Sequence, residues 1–311
     1  AVKMRSFRSD LAVEAHALSG GSDVPGVRME QLKLGELTET VVEIVDDRGA
    51  AALGKPCGRY VTLESDGLAG PETELLQVAE DRLAHTLAGM LPELGSVLVI
   101  GLGNRRITAD SLGPRTIDGV LVTRHMRENT PVPLKGRLRS VSAVAPGVLG
   151  VTGLETAEMV QGVVEHTKPD AVIAVDALAA RETCRICTTL QISDTGIQPG
   201  SGVGNHRLGL NEETLGVPVI AVGVPMVVYA STIVRDALDL LSEDMPADGT
   251  DHTAALDSMV DRVVERRLGD LVVTPREVDE RVTQMARLLS GGLNRALQSR
   301  LAAEEIPALL N

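Results

Sequence analysis

VLVIGLGNRRITADSLGP, Val97 to Pro114, and AVIAVDALAARETCR, Ala171 to Arg185, decide how the chain folds. Each begins as an apolar run of strand length and passes into a polar turn. Each also delivers an aspartate at that point: Asp110 closes the turn of the first, and Asp176 directly follows the apolar run of the second. In an α/β protein the carboxyl ends of parallel strands form the ligand crevice. Two carboxylates delivered there can share one proton and activate a water. Either acid alone reads equally well as a capping or helix N-terminal carboxylate; it is their joint placement across a crossover that points to one crevice.

Working outward, residues 111–126 read as a helix or part of one, 140–145 as a strand and 153–169 as a helix closed by Pro169. That βαβ rhythm predicts a parallel sheet. Residues 71–91 repeat apolar positions at helical spacing behind Pro71, and 187–193 and 217–225 read as further strands. A helix is expected over 226–243, then an acidic surface loop over 243–253. Thr274, Pro275 and Glu277 read as Ncap, N1 and N3 of a capping box that opens a long helix through Leu297. Residues 40–46 and 59–65 alternate as strands of a small β subregion at about 36–70, and the first 35 residues read as an extended arm. The fold class is therefore α/β: a three-layer sandwich with a mostly parallel sheet, a small β subregion, an N-terminal arm and a helical C-terminal part.

Composition narrows the partners. A net charge of -13 opposes binding to a phosphate backbone, and no Trp, one Phe and two Tyr leave little for stacking on bases. No apolar stretch is long enough to cross a bilayer, and AVKMRSFRSD lacks the core of a secretory signal, so a cytoplasmic protein without membrane or nucleic-acid partners is expected. Three cysteines suit a reducing compartment. Cys184 and Cys187 form a CxxC with no second ligand pair, and read as two strand thiols. The six histidines contain no HExxH. Neither metal nor cofactor is expected.

Three motifs carry rival readings. Gly101 to Arg106 starts as a dinucleotide-binding fingerprint but has arginine at the third glycine position, which leaves a tight turn needing positive φ. Asp194, Thr195 and Gly196 spell the DTG of pepsin-like proteases; a single copy in an α/β pattern reads as an Asx-type turn. PGSGVGNHR, Pro199 to Arg207, has free amides suited to an anion nest. Asn104, Asp194, Gly202, Gly204 and Asn205 are the expected crevice-loop residues.

The chain resembles the germination proteases of spore-forming bacteria. Seven blocks in family order carry the resemblance: Phe7–Ala15, Ala52–Glu64, Val97–Pro114, Ala174–Arg181, Asp194–Arg207, Val217–Thr232 and Val272–Glu280. It implies a fold akin to the hydrogenase-maturation endopeptidases, a homotetramer, and a zymogen that trims its own N-terminus. Its implied substrates are the small acid-soluble proteins of the spore core, and its implied catalytic pair falls on Asp110 and Asp176. Processing maps between Asp10 and Leu11, giving a propeptide of residues 1–10 and a peptidase domain of 11–311. Two alternatives stay open: a metal-dependent peptidase of the maturation type, and a non-catalytic peptide-binding homologue.

Overall fold

Nine strands of a single sheet are found among the described residues: β1 (Val27–Leu34), β2 (Leu37–Ile44), β3 (Gly58–Glu64), β4 (Val97–Gly101), β5 (Val141–Val144), β6 (Ala171–Ala180), β7 (Thr189–Ser193), β8 (Val219–Tyr229) and β9 (Val272–Val273). The structure is a computed structural model and describes residues 9–21, 24–71, 73–126, 130–197, 208–234, 237 and 271–310. The strands run in the order β1-β2-β3-β7-β8-β6-β4-β5, with β9 added alongside the end of β8. The β8-β6-β4-β5 block is parallel, and β1, β2, β3 and β7 extend it as an antiparallel half. The parallel core is what the βαβ rhythm predicted. The β subregion differs from expectation, because β2 and β3 continue the main sheet through β7.

The helices are α1 (Ala12–Leu18), α2 (Asp47–Leu53), α3 (Thr73–Met90), α4 (Leu112–Asp118), α5 (Leu149–Thr152), α6 (Thr156–Thr167), α7 (Glu212–Leu215) and α8 (Val278–Leu297). Strand side chains alternate between faces, and the core clusters show which face is which. Val61, Val99, Ile173, Val175, Ile192 and Val222 point into the layer built by α3, α4 and α8. The opposite face is covered in two patches. Val160 and Val164 of α6 pack on Leu98, Ile100, Val172 and Ala174, while Ala12 of α1 and Leu53 of α2 pack with Val42, Ile44 and Tyr60. Between those patches lie the carboxyl-end half of β6 and its neighbours β8 and β7.

Several elements depart from the sequence reading. The described part of the arm is structured: Ala12–Leu18 is helical and β1 pairs along its length with β2. β8 runs on through Met226 to Tyr229, where a helix was expected, because Val224, Met226 and Val228 are fully buried on alternate positions; helix begins at residue 230, and the expected acidic loop lies outside the described residues. The helix near Ser111 is one short segment, α4. No capping box opens α8: Glu277 occupies its N-cap without a side-chain bond, and Thr274 Oγ1 donates to the Met226 carbonyl instead. Neither thiol of the CxxC lies in a strand. Cys184 sits in a 3-10 turn, and Cys187 is buried just before β7 with φ of 59°.

Candidate active site

A cleft of about 880 Å³ opens between the two helical patches, and both Asp110 and Asp176 line it. The chain brings them together by register. Gly101 at the end of β4 stands opposite Val175, and the Leu102 N–H donates to the Val175 carbonyl at 2.8 Å, so the β4 turn is fixed one residue before Asp176. The turn then doubles back. Asn104 N–H donates to Asp110 Oδ2 at 2.8 Å, and Asp110 ends a 3-10 turn over Thr108–Asp110. The reversal depends on Gly103, whose φ is +113° and where a Cβ would overlap the Asp110 carbonyl oxygen. This is the positive-φ glycine that the broken dinucleotide motif left as its structural reading.

Asp176 has a different environment. Its Oδ1 accepts from the Ala177 N–H at 2.8 Å. Burial pushes its carboxyl well above the ordinary range, the negative charge of Asp110 pushes it further, and that of Asp10 adds to both, against the Ala177 bond that lowers it. A partly buried acid beside another carboxylate keeps its proton to higher pH than a free one.

Asp10 and Ser9 line the same cleft. The Asp10 N–H donates to the Ala179 carbonyl at 2.9 Å, and the Ala179 N–H donates to Asp10 Oδ2 at 2.8 Å. Both bonds form where the β6–β8 register shifts between Leu178 and Ala179. The Asp10 carbonyl accepts from Lys55 Nζ and from Gln191 Nε2, each at 2.9 Å. Leu11 is fully buried in an apolar cluster with Leu178, Ala180 and Val228. Burial of such a side chain is worth about 1.5–3 kcal/mol. One turn on, Glu14 accepts from the backbone N–H groups of Arg181 at 2.8 Å and Glu182 at 3.0 Å. The Asp10–Leu11 peptide is thus held firmly on both sides.

Of the expected loop residues, Asn104 lines the cleft and serves it through its backbone. Asp194 does not line it: its exposed carboxylate accepts from Arg59 N–H at 2.8 Å, and Thr195 and Gly196 face the cleft in its place. Gly202, Gly204 and Asn205 lie outside the described residues. Arg105 is turned onto Asp118 in a bidentate pair. Lys55 and Gln191 went unremarked in the sequence, since one lysine in a turn and one glutamine in a strand carry no motif. Among the described residues no three His, Cys, Asp or Glu side chains converge as a metal-holding group, so the metal alternative finds no donor set there. No helix among them is long and apolar enough to cross a membrane.

A family model described as germination protease matches residues 7–264. The chain belongs to the germination protease family. It is 43% identical to the germination protease of Caldanaerobacter subterraneus subsp. tengcongensis over 98% of this chain and 98% of that one. The Clostridium perfringens germination protease is 40% identical, over 99% and 100% of the two chains. That of a Geobacillus species is 38% identical over 96% of each. Membership of the germination protease family makes the chain a peptidase. A solved [NiFe] hydrogenase maturation protease, HycI from Thermococcus kodakarensis, covers 67% of this chain and 98% of its own, with 18% identity and a TM-score of 0.35. That is too slight a likeness to say anything of the cleft.

Proposed function

We propose that the chain is an aspartic-type endopeptidase, made as a zymogen, that cuts its own Asp10–Leu11 bond and then cleaves small acid-soluble spore proteins in the spore core. In this reading Asp176 holds the proton and Asp110 is the ionised base. Asp110 takes a proton from a water that attacks the scissile carbonyl, and Asp176 gives its proton to the leaving nitrogen. The observation that carries it is the placement of Asp110, Asp176 and Asp10 around one cleft, where burial and Asp110's charge hold the Asp176 carboxyl above its ordinary range. Such a pair has its acid and base sorted by environment. Residues 1–10 act as the propeptide, and the family resemblance adds a homotetramer as the working assembly.

The test is intact mass on the full chain and on Asp110→Asn and Asp176→Asn. Each substitution is expected to slow release of residues 1–10, and cleavage of an added spore protein, by about 10²–10⁴-fold. Wild-type rates in both variants would sink the dyad. A binding homologue would yield no fragments even from the parent chain.

A further inference from the structure

We propose that Lys55 and Gln191 form the electrophilic clamp of this peptidase, polarising the scissile carbonyl and holding its oxygen as negative charge develops. The proposal rests on the reading of Asp10–Leu11 as the bond the chain cuts. Both side-chain nitrogens are 2.9 Å from the Asp10 carbonyl oxygen, and both residues line the cleft that holds Asp110 and Asp176. Two donors on one oxygen is the arrangement by which acyl transfer is stabilised.

The sheet explains how a residue of β7 serves a site on β6. Gln191 stands opposite Gly223, and Gly223 stands opposite Asp176, so the three form one row across β7, β8 and β6. Directly paired residues share a face. The next row, Ile192, Val222 and Val175, points into the core beneath, which puts Gln191 and Asp176 together on the cleft side. Two strand spacings separate their backbones by about 10 Å. Gly223 has no side chain of its own, and Leu178 fills the space that a Cβ there would take.

Gln191 does a second job: its Oε1 accepts from the Ala12 N–H at 2.6 Å, so one side chain grips the chain on both sides of Leu11. Lys55 follows α2 and reaches the carbonyl from the helical patch that also holds α1. Burial pulls its ammonium pKa down, opposed by the charges of Asp10 and Glu14. A partly desolvated cation acts on a nearby oxyanion with little solvent screening.

The step balances as hydrolysis. The water oxygen bonds to the Asp10 carbonyl carbon as its proton passes to the ionised aspartate, and the carbonyl electron pair moves to the oxygen held by Lys55 and Gln191. Collapse reforms the carbonyl and breaks the C–N bond, and the Leu11 nitrogen leaves with the proton of the second aspartate. The products are a carboxylic acid on Asp10 and an amine on Leu11, and the acid's proton then passes to the amine.

The experiment follows the first-order appearance of the Leu11 N-terminus in the full chain, by intact mass, for Lys55→Met, Lys55→Arg and Gln191→Glu. Gln191→Glu still accepts from Ala12 N–H but no longer donates to the carbonyl. Loss of one such donor lowers the rate by about 10²–10³-fold, which is the result expected of Lys55→Met and Gln191→Glu, with Lys55→Arg recovering part of the loss. Thermal melting identifies any variant that fails to fold. If Lys55→Met does so, Lys55→Arg and Gln191→Glu decide. Wild-type rates in folded variants overturn the clamp. A parent chain that releases some other fragment, or none, overturns instead the assignment of the bond.

Discussion

Leu11 is fully buried against Leu178, and the next residue of that strand, Ala179, holds Asp10 through both its N–H and its carbonyl. One side of the bond is thus anchored by an apolar socket and the other by backbone pairing. Leu11→Ala removes the socket's occupant, at a cost of about 2–5 kcal/mol for a large-to-small change in a packed site. Hydrogen exchange at Ala12 and Ala15, whose N–H groups bond to Gln191 and to the Leu11 carbonyl, should accelerate, and self-cleavage should slow. Unchanged protection at both amides would show that the socket does not hold the segment.

Asp176 sets a pH dependence of stability with a definite sign. Its folded-state pKa is raised, so the folded chain binds a proton more tightly than the unfolded one. The contribution is fully present below the unfolded value of about 3.9, and it is lost as pH rises from there through the raised folded value. Asp176→Asn removes that loss. The variant should therefore be more stable than its parent at neutral pH by a margin that shrinks in acid, while being inactive. Urea unfolding of both chains at acidic and neutral pH measures the margin, and a gap independent of pH contradicts the burial argument.

Gly103→Ala targets the turn. With φ at +113° and the Asp110 carbonyl where the new methyl must go, the turn has to shift and carry Asp110 away from Asp176. Strain of this kind costs about 1–3 kcal/mol. The expected outcome is a folded chain whose kcat falls by more than its KM changes, since the Ala179 groups that pair with Asp10 lie elsewhere. A normal kcat would mean that Asp110 tolerates displacement.

A chain beginning at Leu11 lacks Ser9 and Asp10, which line the cleft. It should cleave an added spore protein faster than the full chain at equal concentration, with retained α1 still fixed by Glu14 on the Arg181 and Glu182 amides. Equal rates in a timed digestion would remove residues 1–10 from any inhibitory role.

The parallel core and both cleft aspartates could be read from sequence because β4 and the first half of β6 are dense apolar runs, fully buried, each followed by polar residues; β6 itself continues past Asp176 to Ala180. β1 could not. Its residues Arg28 to Lys33 are all exposed, so no burial pattern marks them, and only pairing with β2 makes them a strand. The Met226–Tyr229 stretch misled because apolar residues without polar interruption fit a buried helix as well as a strand. Thr274 to Glu277 had the composition of a capping box, but tertiary contact with Met226 claimed the threonine hydroxyl. Lys55 and Gln191 acquire meaning only from what they touch, 45 and 181 residues away along the chain.

The row from Gln191 through Gly223 to Asp176 has a consequence for synthesis. Its members come from three strands, and the last of them to leave the ribosome is β8. Until β8 slots between β7 and β6, Asp176 and Gln191 have no common surface. A chain that ends before Gly223 carries Asp110, Asp176, Lys55 and Gln191, yet the row that joins Asp176 and Gln191 on one surface is incomplete in it.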